Sequence, residues 1–131
     1  MTDYLEQDDA LAMLSAADVV ALPYEATRES SSAALRFVLP LGRPIVTSNV
    51  PIFDDAADAV LRVETPVEPQ ALTEVLEQLW LNEELRATVT ATAREYTMHT
   101  SWTMVGRLTM DLYDRVMAAC PRQRSEPYVH R

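Results

Sequence analysis

The sequence contains no lysine, since all 11 of its basic residues are arginine. A Schiff-base lysine and the lysine of a phosphate-binding P-loop are therefore excluded. Glycine is almost as scarce: Gly42 and Gly106 are the only two, so a G-x-G-x-x-G phosphate loop cannot occur. The single cysteine, Cys120, excludes an internal disulfide and a cysteine-based zinc site, and it fits a reducing cytoplasm.

The sequence also has few positive charges and no long apolar run. The 20 acidic residues outnumber the arginines and leave a net charge of −9 at pH 7, which argues against nucleic acid or an anionic membrane as a partner. Asp18, Arg36 and Pro40 interrupt the longest apolar stretches, so none approaches the roughly 20 residues of a membrane helix. The acidic first ten residues do not resemble a signal peptide. We therefore expect a cytoplasmic protein without membrane insertion.

What is present is an ordinary globular composition, with 48% hydrophobic and 24% charged residues in a chain of 131. Apolar periodicity predicts strands at 18–23, 44–48 and 59–63, helices at 8–16 and 33–39, and a helical pattern that follows the third strand and ends at Pro121. This order predicts an α/β fold, a three-layer Rossmann-like parallel sheet with a helical C-terminus. We expect one domain over residues 1–120 and a disordered tail over 121–131, after Pro121 ends the last helix.

The helical half carries apolar residues at helical spacing. Such stripes predict core-facing sides for three helices: Leu72, Val75, Leu76 and Leu79; then Leu85, Val89, Ala93 and Tyr96; then Val105, Leu108, Leu112 and Val116. Asn82 and Ser101 are suited to cap the second and third of these helices. We expect Trp80 and Trp102 to be packing anchors. His99 and His130 have no partners at ligand spacing, so no metal site is expected.

The loop Tyr24–Ser32 leaves the first strand at the predicted carboxyl edge of the sheet, where ligands bind in open parallel sheets. It leads into a helix N-terminus, whose free N–H groups and dipole favour an anion such as a nucleotide diphosphate. Glu29 could accept hydrogen bonds from sugar hydroxyls. The alternative is a plain helix cap, in which Glu29 and the serines 30–32 satisfy the first backbone N–H groups. The residues alone leave both interpretations open.

Short segments between residues 4 and 116 stand in a specific order. They are Tyr4-Leu5 with the helix after it, Ala16–Pro23 (AADVVALP), Glu29–Ser32 (ESSS), Leu41–Ser48 (LGRPIVTS), Leu79–Arg86 (LWLNEELR) and Thr100–Val105 (TSWTMV). In order and spacing they resemble the C-terminal, nucleotide-sugar-binding domain of group 1 retaining glycosyltransferases with the GT-B architecture. Counting back from Gly42 places Glu29 on the first glutamate of that family's E-x7-E motif.

The resemblance implies roles for the residues of this loop. Glu29 would contact the donor hexose, and Ser30, Ser31 and Ser32 would line the turn that faces the sugar or diphosphate. The family's second glutamate, which holds the ribose, falls on Phe37, so the nucleotide-binding residues stay unknown and Phe37 is expected to face the core. Arg36 beside it would be a surface arginine or a partner for a phosphate or carboxylate. The family implies no organic cofactor and no bound metal.

The resemblance also implies what lies outside this match. The family's first donor-domain strands, which carry a basic pair, and its preceding acceptor domain have no counterpart here, so we expect a partial GT-B domain. The implied activity is transfer of a sugar from a nucleotide diphosphate sugar with retention, and the 131 residues alone are not expected to catalyse it. The alternative is a non-catalytic interaction or oligomerisation remnant, because the exposed sheet edges invite self-association.

Overall fold

The computed structural model describes residues 5–119 of the chain, so Tyr4, Cys120, His130 and the predicted tail over 121–131 lie outside the described residues. The helices and strands follow one another in this order: α1 (Gln7–Ala16), β1 (Val20–Leu22), α2 (Ala33–Val38), β2 (Ile45–Ser48), β3 (Leu61–Val63), α3 (Pro69–Leu81), α4 (Glu83–His99) and α5 (Trp102–Ala119). Two 3₁₀ helices occupy the connections, Leu39–Leu41 before β2 and Pro51–Ala59 before β3. No helix in this part of the chain is long and apolar enough to cross a membrane.

The three strands form one parallel sheet in the order β1-β2-β3, which confirms the predicted α/β class and strand direction. Val20 pairs with Ile45, and Val46 pairs with Leu61. Each strand is shorter than its predicted range, because apolar composition reports burial and not pairing. Pro44, for example, has no N–H to donate, although its carbonyl accepts the N–H of Val20 at 3.0 Å.

The sheet has an apolar core on each of its faces. Successive β2 residues point to opposite faces, so Ile45 belongs to one core and Val46 to the other. The Ile45 core includes residues of α2, of the second 3₁₀ helix and of α4, whereas the Val46 core packs against α3. All four β2 residues are buried, as expected for the central strand of a sheet covered on both sides.

Gly42 ends the segment that begins with α2. It has φ of +64°, the left-handed region that glycine adopts without a Cβ penalty, and its N–H donates to the carbonyl of Leu39 at 3.3 Å. The predicted ending of this helix at Pro40-Leu41-Gly42 is thereby confirmed. The turn directs the chain into β2 through Arg43 and Pro44.

Helix α4 passes from one face of the sheet to the other. Leu85 near its start packs in the Val46 core, whereas Ala93 and Tyr96 pack in the Ile45 core. Asn82 caps this helix, because its Oδ1 accepts the N–H of Leu85 at 3.0 Å, as the sequence predicted. The apolar stripe predicted for α4 is therefore a true core face, shared between the two cores.

Among the described residues, those up to Met98 form one compact unit and those from His99 to Ala119 belong to a second. In the second unit, α5 has no buried residue, and the predicted core line over Val105, Leu108, Leu112 and Val116 is exposed. Those four residues were wrongly predicted to be core residues. Periodicity identifies the apolar side of a helix, but it does not specify which neighbour covers that side.

The prediction that both tryptophans are packing anchors is also wrong. Trp80 is 70% exposed and Trp102 is 90% exposed. Trp80 lies in the last turn of α3, next to the buried Leu79, and so points away from the stripe that packs on the sheet. A large apolar side chain favours burial, but the position of Trp80 on α3 places it outside the buried side of the helix.

Candidate functional site

The carboxyl ends of the three strands position the candidate site, and the loop after β1 is anchored firmly at its start. The hydroxyl of Ser48, the last residue of β2, donates to the carbonyl of Tyr24 at 2.5 Å. The Tyr24 ring lies 5.4 Å from the fully buried ring of Phe53, measured between centroids. The loop therefore leaves a fixed root at the predicted edge of the sheet.

Beyond Tyr24 the loop is exposed from residue 25 through residue 31. The N–H of Glu29 donates to Oγ1 of Thr27 at 2.9 Å, which closes a local turn. The Glu29 carboxylate has no hydrogen bond or ion pair with any residue that the structure describes. It is therefore available to an external donor of hydrogen bonds. Ser30 and Ser31 follow it in the same exposed turn.

Ser32 differs from the two serines before it. It is only 3% exposed, and its Oγ accepts the N–H of Leu35 at 3.1 Å as the N-cap of α2. The cap interpretation thus holds for Ser32, whose hydroxyl is committed to the helix. Of the four residues predicted to contact a donor sugar, Glu29, Ser30 and Ser31 are the exposed ones.

Phe37 and Arg36 occupy neighbouring positions on α2 with different surroundings. Phe37 is half-buried and packs against the Ile45 core, as predicted for a core-facing residue. Arg36 pairs with Asp55, donates to the Tyr96 hydroxyl at 2.6 Å and lies 5.4 Å from the centroid of that ring. Arg36 is exposed, as predicted for a surface arginine, and the carboxylate that it pairs with belongs to this chain. The guanidinium ties α2 to the second 3₁₀ helix and to α4.

A polar network at the ends of β2 and β3 was not predicted from the sequence. Nη1 of Arg62 donates to Oδ1 of Asn49 at 3.0 Å and to Oδ1 of Asp54 at 2.9 Å, and its Nη2 donates to the carbonyl of Phe53 at 2.7 Å. The Asn49 amide donates in turn to Glu64 at 3.1 Å. The Arg62 Nε is buried and has no partner among the described residues.

The sequence did contain a signal for this network. Arg62 and Glu64 alternate with the apolar Leu61 and Val63, and residues at this spacing lie on one side of a strand. Asn49 follows β2 directly, at the same edge. The network holds the turn after β2 against β3. The Nη atoms of Arg62 and the Asn49 amide find their partners within it, so we assign it a structural role.

The exposed turn offers one carboxylate, two hydroxyls and backbone N–H groups. This set suits hydrogen bonding to a polyhydroxylated ligand, since the carboxylate accepts from hydroxyls and the serines both donate and accept. Among residues 5–119, no group of three or more His, Cys, Asp or Glu side chains is arranged to hold a metal ion. Comparison of the chain with the models of known protein families and with curated proteins gives no match.

Proposed function

We propose that the loop over residues 24–32 binds the sugar of a nucleotide diphosphate sugar, as part of a donor domain of the group 1 retaining glycosyltransferase type. The observation that carries the proposal is the exposed Glu29 carboxylate, which is unpaired among the described residues. It lies in the loop after β1, at the carboxyl edge of a parallel sheet. The resemblance described above supports the same assignment of Glu29.

These 131 residues alone are expected to bind the nucleotide sugar but not to catalyse transfer of its sugar. Phe37 stands where the family has its ribose-binding glutamate, and it supplies no acceptor for hydroxyl groups. A hydrogen bond to a charged group contributes roughly 1.5–3 kcal/mol, so the absence of this carboxylate weakens nucleotide binding considerably. We expect an affinity no tighter than a Kd of about 1 mM, which corresponds to a binding free energy of about −4 kcal/mol.

The test is an NMR titration of the chain with UDP-glucose, GDP-mannose and ADP-glucose, each compared with its free nucleoside diphosphate. We expect shifts confined to residues 24–33. Glu29→Gln should weaken the nucleotide sugar by about tenfold, which corresponds to about 1.4 kcal/mol, and should leave the free nucleotide nearly unaffected. The reason is that only the nucleotide sugar presents hexose hydroxyls to this carboxylate.

Glu25→Gln is the matched control, because Glu25 is exposed in the same loop and carries the same charge. It should leave both affinities unchanged. Equal losses of nucleotide-sugar affinity in Glu25→Gln and Glu29→Gln would mean that the charge of the loop, and not a contact of Glu29 with the sugar, causes the effect. That result would contradict the proposal. Absence of any shift at residues 24–33 would leave the serines as a helix cap and refute the proposal.

A second candidate is a non-catalytic interaction module. It is favoured by β1, which pairs with β2 on one side and with no strand of residues 5–119 on the other. It is also favoured by the exposed apolar residues of α5. Unpaired strand edges and apolar patches are typical association surfaces, and a second copy of the chain is the simplest partner.

A further inference from the structure

A cleft of about 620 Å³ lies at the opposite edge of the sheet from the loop of residues 24–32. One wall consists of the residues that precede the strands, namely Asp18-Val19 before β1 and Gly42–Pro44 before β2. The other wall is the end of α3 and the side of α4 that faces the cleft as α4 passes between the two cores. The volume is in the range typical of sites for small organic molecules. We call it the amino-edge cleft.

Three of the 11 arginines of this acidic chain line the amino-edge cleft: Arg43, Arg86 and Arg94. None of them forms an ion pair with a carboxylate within the described part of the chain. Arg43 donates to the carbonyl of Ser15, and Arg86 donates to the carbonyls of Leu79 and Trp80, both at 2.6 Å. These neutral partners hold the two guanidinium groups in place without a carboxylate in direct contact.

The guanidinium of Arg94 has no hydrogen-bond partner among the described residues. Its guanidinium lies against Gly42: a Cβ at that position would be 3.2 Å from Nε and 3.5 Å from Nη2. The absence of a side chain at Gly42 thus makes room for the guanidinium at the wall of the cleft. A guanidinium that is positioned by packing and keeps its donors unused is suited to an incoming anion.

Besides the arginines, two carboxylates and one indole in the cleft wall affect which ligand the cleft can bind. Asp18 and Glu83 also line the cleft, so its formal charge is +1, from three arginines and two acids. This balance favours an anion of low charge over a polyphosphate. Trp80 is 70% exposed and forms part of the cleft wall, where its indole offers a flat apolar surface. Arg86 is close by, since its guanidinium donates a hydrogen bond to the backbone carbonyl of Trp80.

We propose that the amino-edge cleft binds small aromatic anions, compounds with one flat ring and one attached oxyanion group. Arg94 receives the oxyanion, and Trp80 packs against the ring. The phosphate and carboxylate forms share this chemistry, and the choice of probe separates them. The site is independent of the loop of residues 24–32, which leaves the sheet at its other edge.

The experiment is an NMR titration of the full chain with phenyl phosphate and, separately, with benzoate. Phenol and inorganic phosphate serve as the ring-only and anion-only controls. The reporter is the indole N–H signal of Trp80, and Trp102→Phe removes the other indole signal. We expect saturable shifts of Trp80 with at least one of the two aryl anions, at least about tenfold tighter than with phenol or phosphate, and unchanged signals for residues 24–33.

Arg94→Gln should weaken this binding by roughly tenfold or more, because a charged hydrogen bond is lost. Arg28→Gln removes the same charge from the exposed loop at the other edge, and it should change the affinity less than about twofold. Trp80→Ala is the second variant, and because it removes the indole reporter its titration is followed by the backbone amide signals of Ala87, Thr90 and Ala91, which also line the cleft. It should lower the affinity for aryl anions while leaving weak phosphate binding unchanged. A lack of saturable shifts, equal affinity for phenol, or equal losses in Arg28→Gln and Arg94→Gln would overturn the proposal.

Discussion

At the scale of single residues, Gly42 meets two demands at once. Its left-handed backbone turns the chain from the first 3₁₀ helix into β2, and its missing side chain accommodates the guanidinium of Arg94. Gly106, the other glycine, meets neither demand: it lies inside α5, and a Cβ there would have no heavy atom within 4 Å.

The two glycines therefore predict opposite effects of the same substitution. Gly42→Ala should destabilise the chain by about 1–2 kcal/mol, the cost of a Cβ in the left-handed region, with a further cost from the displaced Arg94. Gly106→Ala should stabilise α5 by roughly 0.5–1 kcal/mol, because alanine loses less backbone entropy in a helix. Urea unfolding followed by circular dichroism measures both changes. A neutral Gly42→Ala would show that the turn tolerates a side chain.

At the scale of elements, α3 has a buried side and an exposed side that differ sharply within its last turns. Leu79 is fully buried in the Val46 core, whereas Leu81, two positions later, is 82% exposed. Both lie in the last turns of the same helix. They differ in surroundings and not in chemistry, which makes them a matched pair.

Leu79→Ala should destabilise the chain by about 2–5 kcal/mol, because it removes buried methyl groups and leaves a cavity beside the sheet. Leu81→Ala should change the free energy of unfolding by less than about 0.5 kcal/mol. The measurement is the midpoint and slope of chemical unfolding. Similar losses at both positions would mean that α3 packs through a wider surface than the sheet-facing stripe.

The elements that the sequence predicted best are those whose signal is local. The stripe of α3, the cap at Asn82 and the stop at Gly42 all depend on residues within one or two turns, and all are confirmed. The β1 strand was predicted too long, because its apolar run continues past the three residues that pair with β2.

The features that the sequence did not reveal depend on distant partners. Arg62 meets Asn49 only because β2 and β3 are neighbours. The candidate site likewise has one part that depends on local residues and one part that depends on a partner outside the chain. The cap at Ser32 was one of two local interpretations, whereas the contact of Glu29 with a sugar stays a prediction.

At the scale of the whole molecule, apolar exposure and net charge act in opposite directions. Eight large side chains of α5 are exposed: Trp102, Val105, Leu108, Met110, Leu112, Tyr113, Val116 and Met117. Apolar exposure on this scale favours association, whereas a net charge of −9 makes copies of the chain repel one another.

We expect the chain to self-associate in a concentration-dependent way, and more strongly as salt screens the repulsion between copies. Leu108→Asp should weaken the association. Thr103→Asp, which adds the same charge at an exposed polar position of α5, should weaken it less. Sedimentation velocity at low and high ionic strength measures both. A monomer at every concentration in both salts would contradict the prediction.

The helix that passes from one face of the sheet to the other is made late in synthesis. Because β1, β2 and β3 pair in chain order, a nascent chain can complete its sheet as soon as Val63 is available. Ala93, which closes the Ile45 core, follows thirty residues later (93 − 63). At about 5–20 residues per second, translation leaves that core open for roughly 1.5–6 s. We expect a nascent chain to bind holding chaperones most strongly in this interval, because the apolar residues that share a core with Ala93 lack that part of their cover until α4 is made.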